Sequence, residues 1–235
     1  MWQQPTKEIE DIPYPQKHME DLKRLNPLMI SSMERDGPPI ESGSINVGYL
    51  DKNLDVALFL FRWVVENNEV IENLNLVLND FKTLPTNYVL LTGSPKTRYY
   101  LLVRTYFNEF YRFREIHNRT VKAAASRGYI ESSNVAFVRK AFHEAFESAI
   151  DLRNNLVHCS TFWKGKKHFD LNLIVAAREL GFGIKSIESG EMWEVREVLE
   201  DICSDTVNMM RDEAIRMSSL LKRILQDYVD IVAKV

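Results

Sequence analysis

Within one short stretch, Arg153-Asn154-Asn155-Leu156-Val157-His158, stand the side chains of this chain best suited to chemistry. On a helix Asn154 and His158 are i and i+4 and share a face. Arg153 sits about 100° around from Asn154, from where its long guanidinium can reach the same phosphate. Glu147 and Asp151 continue the stripe at i−11 and i−7 from the histidine, as supporting groups. Lys164, Lys166, Lys167 and His168 follow, and no acidic residue occurs from Leu152 to Phe169, so local charge is positive. These groups suit cleavage of RNA by its own 2′-OH. A histidine that titrates near neutrality takes the 2′-OH proton or protonates the leaving 5′ oxygen, and an arginine stabilises the charge that builds on phosphorus. In this reading His158 is general acid/base, Arg153 stabilises the transition state and Asn154 orients the phosphate. Lys164, Lys166 and Lys167 hold the substrate backbone. No metal or cofactor enters the chemistry.

The elements that must position these residues are helices. Residues 1–50, rich in Pro, Gly and Ser, read as an arm packed on the rest, with one helix over about 17–35 that ends before Gly37-Pro38-Pro39. From Asp51 the apolar positions Leu54, Leu58, Phe61, Val65, Val70, Leu74, Val77 and Phe81 recur at helical spacing, until Pro85 and the turn Thr92-Gly93-Ser94-Pro95 break the pattern around a short extended piece at 88–91. A second long helix, about 97–126, carries Tyr99, Tyr100, Tyr106, Phe107, Phe110, Tyr111 and Phe113; rings at this spacing read as core rather than as a base-stacking surface. Ser132-Ser133-Asn134 caps a third, with the stripe Val138, Phe142, Ala145, Ala149, Leu152 and Leu156, and this helix carries the motif. Phe169, Leu171, Leu173 and Val175 alternate with period two and predict a strand or hairpin after a basic loop. From Glu191 to Val235 neither Gly nor Pro occurs, which predicts one very long helix or two in series. The fold expected is mostly all-α, an antiparallel bundle of four to five long helices over 51–235 with a small irregular or β-hairpin insertion near 160–190.

Composition narrows the function classes. The 235 residues are 45% hydrophobic and 27% charged, ordinary for a globular chain, and the formal net charge of −3 provides no global cationic field, so a nucleic-acid site must be local. Cys159 and Cys203 lack ligand spacing and read as reduced thiols. No apolar leader or membrane-length apolar run is present, which predicts a cytoplasmic protein away from membranes. His143-Glu144 is followed by Glu147 where a zincin needs a second histidine, and Gly93-Ser94-Pro95-Lys96-Thr97 lacks the phosphate-loop spacing.

The Arg153, Asn154 and His158 pattern, at the end of a helix among long helices, resembles the signature of the HEPN superfamily (higher-eukaryote and prokaryote nucleotide-binding domains). The resemblance covers the motif and the general helical layout. It implies a metal-independent endoribonuclease whose composite site forms across the two-fold axis of a homodimer, with a toxin–antitoxin or phage-defence role and an antitoxin or regulatory protein as partner. One departure is clear: the toxins of this superfamily that pair with a nucleotidyltransferase antitoxin carry a tyrosine two positions after the histidine, where this chain has Ser160. Arg112 and His117 repeat the spacing, but Phe113 follows that arginine and no basic loop comes after it. The competing reading is a non-catalytic helical module for dimerisation or for binding a nucleotide or protein, with His158 as a helix C-terminal charge partner.

Overall fold

The computed structural model describes residues 6–24, 52–147, 150–151, 154, 166–186 and 190–232. Among them are six α-helices: α1 (Met19–Lys23), α2 (Lys52–Asn87), α3 (Pro95–Ser126), α4 (Val135–Ala145), α5 (Lys166–Glu179) and α6 (Val195–Val232). The chain is an all-α bundle. No described helix is long and apolar enough to cross a membrane.

The long helices begin and end where local chemistry directs. Ser94 accepts a hydrogen bond from the Thr97 amide at 3.2 Å with Pro95 in the first turn, so α3 starts on a capped, proline-led turn. It ends at Gly128, whose φ of +72° lets the Tyr129 amide reach back to the Ala124 carbonyl and its own amide to Ala125. Pro85 does not stop α2, which continues two residues past it to Asn87 although the proline has no amide to give the Phe81 carbonyl; 88–90 is a 3-10 turn rather than an extended piece. The last helix is one element of 38 residues, about 57 Å long at 1.5 Å per residue.

Neighbouring helices interlock through both apolar and polar contacts. α2 and α3 run antiparallel, tied on their outer faces by Arg119 to Glu66 (2.6 Å), Arg112 to Glu69 (3.0 Å) and Arg127 to Asp55 (3.3 Å). Inside, Tyr99 and Tyr106, both fully buried, send their hydroxyls across to α6, one to the Thr206 hydroxyl at 2.8 Å and one to the Met210 carbonyl at 2.6 Å. Tyr100, Phe107, Phe110 and Phe113 are buried with them, so six of the seven aromatic positions of α3 are core; Tyr111 is half-buried, its hydroxyl accepting from Arg114 at 3.0 Å.

Two segments differ from expectation. The strand expected over 169–175 is the helix α5. Its buried residues His168, Leu171, Ile174 and Val175 follow three-to-four spacing, whereas the alternating set contains Phe169 and Leu173, which face outward. α5 closes on Gly181 at φ +78°, with the Phe182 amide bonded to the Ala177 carbonyl at 2.8 Å. What remains of the hairpin is one antiparallel bridge between Lys185 and Met192. The third long helix is also interrupted: α4 ends at Ala145, Phe146 leaves helical geometry at φ −127°, and helical conformation resumes at Glu147, Ile150, Asp151 and Asn154.

The arm is held by asparagines of α2. Asn75 accepts from the amides of Glu8 and Ile9 and donates to the Ile9 carbonyl, each at 2.9 Å, and Asn68 brackets Ile12 in the same way at 2.7 and 3.0 Å. Ile9 and Ile12 are thereby sunk into the core. Of the helix expected over 17–35, Gln16–His18 is a 3-10 turn and α1 follows it; positions 25–35 lie outside the described residues. Asn75→Ala strands the two buried backbone groups of Ile9 and the partly buried Glu8 amide, so it should lower the unfolding free energy by about 2–3 kcal/mol, at roughly 1 kcal/mol per lost bond. Urea denaturation checks this, with faster amide exchange at Ile9 expected in the variant.

Candidate functional site

The motif grows out of the break after α4. Phe146 and Ile150 are buried, with Phe146 packed edge-on to Phe110 at 5.6 Å, and the Ile150 amide bonds the Phe146 carbonyl at 3.0 Å. That anchor sets the rotation of the helical segment beyond it. Glu147 and Asp151 are exposed, and Asn154, one further step of four along the Phe146–Ile150 row, is half-buried at the border between core and solvent. The expected polar stripe is therefore split: the two carboxylates face solvent and the asparagine lies at their edge. Arg153, His158 and Lys164 lie outside the described residues.

The basic cluster is partly committed elsewhere. Lys166 is the first residue of α5. Lys167, expected at the substrate backbone, is ion-paired on the surface. Its Nζ is 2.6 Å from Asp205 and 2.9 Å from Asp201, both on α6, and those hydrogen bonds hold its pKa above the ordinary lysine value. These partly exposed pairs are weak and screened by solvent. His168 is buried against Tyr99 and Tyr100, with ring centroids 5.7 and 6.3 Å away, and burial lowers its pKa.

The second Arg/His spacing is not a converging pair. Arg112 binds Glu109 (2.7 Å) and Glu69 (3.0 Å) on the surface, whereas His117 is 2% exposed and stacked on Phe142 at 4.2 Å and 15°. Neither nitrogen of the His117 ring makes a hydrogen bond of good geometry among the described residues, the Val138 backbone being the polar group that comes near it. Burial pulls its pKa down to about 4, against a smaller opposite pull from the Val138 backbone, so the ring is neutral at pH 7.

His117 forms part of the wall of a cavity of about 550 Å³ between α3, α4 and the last turns of α6. Leu220, Ile224, Tyr228 and Ile231 line it from α6, and Val138, Ala141, Phe142 and Ala145 from α4. It exists because α4 packs on α3 yet scarcely touches α6, and Ala141 and Ala145 are too small to close the gap. The Tyr228 hydroxyl is a second buried polar group there with no partner among the described residues. Behind it the Trp63 ring packs on Tyr228 with centroids 6.0 Å apart, its indole N–H likewise without a partner among them. The sequence signals for this cavity are faint: a histidine at a core position of α3 and two alanines four apart on α4.

No family model matches the chain, and no curated protein or solved structure matches it either.

A buried histidine of this kind makes stability depend on pH. The folded ring titrates near 4 and the unfolded one near 6.5, so between those values the unfolded chain binds the extra proton. The contribution is complete above pH 6.5 and is lost as pH falls to about 4. It amounts to roughly 3 kcal/mol at 1.36 kcal/mol per unit. His117→Phe should remove that slope and stabilise the protein at acid pH relative to wild type. Urea titrations at pH 4.5 and 7.5 check it, and an unchanged slope would count against the assignment.

Proposed function

We propose that this protein is a metal-independent endoribonuclease of HEPN type, acting in the cytoplasm by 2′-OH transesterification. The observation that carries the reading is the Arg153-Asn154-x3-His158 spacing, on a chain whose all-α bundle suits the resemblance. Asn154 on a helical segment rooted by Phe146 and Ile150 supports it, since a phosphate-orienting group needs a fixed base. In this mechanism His158 transfers the proton, Arg153 stabilises charge on the phosphorane and Asn154 orients the phosphate. Lys164 and Lys166 remain candidates for the RNA backbone. Lys167 would have to exchange its ion pairs with Asp201 and Asp205 for the phosphate.

One histidine is a poor base and acid at once, which favours a composite site in a homodimer. A surface for the second copy is available on α5, where Phe169, Leu173, Ala176 and Leu180, spaced four, three and four, are all exposed, with Phe169 at 65% and Leu180 at 72%. An apolar row of this spacing is a helix-packing seam. The same row favours a second reading, a non-catalytic module that binds a protein through α5. A defence or toxin–antitoxin setting, with an antitoxin or regulatory protein as partner, belongs to the first.

Purified wild type incubated with cellular RNA in EDTA should give fragments ending in 2′,3′-cyclic or 3′-phosphate with 5′-hydroxyl partners. His158→Ala and Arg153→Ala should abolish cleavage with the thermal midpoint unchanged, and Lys167→Ala should cleave as wild type. Cleavage retained by His158→Ala would refute the assignment. A silent wild type that is nonetheless a dimer would favour the binding module.

A further inference from the structure

We propose that the cavity between α3, α4 and α6 is a binding site for a small organic cation, a flat apolar body carrying a protonated amine. The inference stands apart from the nuclease reading. A volume of about 550 Å³ lies within the range of ligand pockets, and the walls are chiefly aliphatic and aromatic. Such a pocket takes an apolar body. Its specificity comes from the few polar groups that converge on it.

Two of those groups sit deep. His117 and Tyr228 are 2% and 5% exposed; the phenol oxygen has no partner among the described residues, and the imidazole, with only the Val138 backbone near it, makes no hydrogen bond of good geometry among them. A neutral imidazole offers one donor and one acceptor, and a phenol can serve as either, so the interior can satisfy a heteroatom on the apolar body. The Phe142 ring, stacked on His117, continues the flat wall and favours a planar occupant. At the mouth stand Asp227 and Asp230, both exposed, on the same α6 turns as Tyr228. Asp230 accepts from Gln226 at 2.8 Å, and Asp227 has no ion-pair partner among the described residues. Two carboxylates at the rim of an apolar cavity attract an ammonium and repel a carboxylate or phosphate. The arrangement therefore selects against nucleotides and fatty acids and for an amine with an aromatic body.

Three indoles of like shape and different charge test this: tryptamine, indole and indole-3-acetate, titrated calorimetrically into the full chain at pH 7.5. Tryptamine should bind saturably at one site per chain, roughly tenfold tighter than indole-3-acetate, as expected for a unit charge near two screened carboxylates. Ala141→Phe, which fills the cavity, should abolish binding. Asp227→Asn with Asp230→Asn, both at exposed positions that leave the fold intact, should erase the preference for tryptamine over indole. No saturable binding of tryptamine, equal binding of indole-3-acetate, or binding that survives a folded Ala141→Phe overturns the proposal. If Ala141→Phe does not fold, the paired Asp→Asn variant decides it.

Discussion

Two phenols set the register of this bundle. Apolar helix faces tolerate sliding, since one leucine replaces another at little loss, but a buried hydroxyl must meet its acceptor or forfeit a hydrogen bond. Tyr99 on Thr206 and Tyr106 on Met210 therefore fix α3 lengthwise against α6, two helices that run in the same direction because each packs on α2. α2 lies antiparallel to both: Phe81 near its end meets Tyr99 near the start of α3, and Trp63 near its beginning meets Tyr228 near the end of α6. Once α3 and α6 are in register, His117 must fall opposite the Leu220–Ile231 turns, and the cavity results from that placement.

Much of this architecture is legible in the sequence, because long helices announce themselves by periodic apolar positions and by their ends. The Ser94-Pro95 start and the Gly128 finish of α3 are written in residues whose local chemistry permits little else. Legibility fails where one pattern fits two periods. Phe169, Leu171, Leu173 and Val175 alternate, yet Leu171, Ile174 and Val175 also fit a helix, and packing against α6 selects the second set. The break at Phe146 leaves no proline or glycine behind it, since it arises where a large ring turns inward onto Phe110 and Phe142. Lys167 looks free in one dimension because Asp201 and Asp205 are more than thirty positions away. The cavity is harder still to read: a space is the absence of side-chain volume across helices, and Ala141 and Ala145 in isolation are ordinary helix formers.

The two proposed sites have opposite electrostatic character, yet α4 links them. The motif stretch needs positive potential for a phosphodiester, and the cavity mouth is acidic. Ala141 and Ala145 line the cavity, and one residue later Phe146 begins the anchor that orients Asn154. The Arg216 guanidinium, 6.0 Å above the Phe146 ring, is a further link from α6 to that hinge. A ligand pressing on α4 would thus act on the element from which the motif segment departs.

The asparagine clamp on the arm bears on how the chain is made. Ile9 and Ile12 are synthesised before the residues that hold them: the clamping Asn68 and Asn75 come some sixty positions later, and Ser218 and Lys222, which meet Glu10, more than two hundred later. The site that holds Ile9 and Ile12 is therefore built from residues up to some two hundred positions further along the chain, so its contacts are among the most non-local of the fold. Closing the arm over α2 and α6 thus carries a large loop-closure entropy, which the hydrogen bonds of Asn68, Asn75 and Ser218 and the burial of Ile9 and Ile12 must offset.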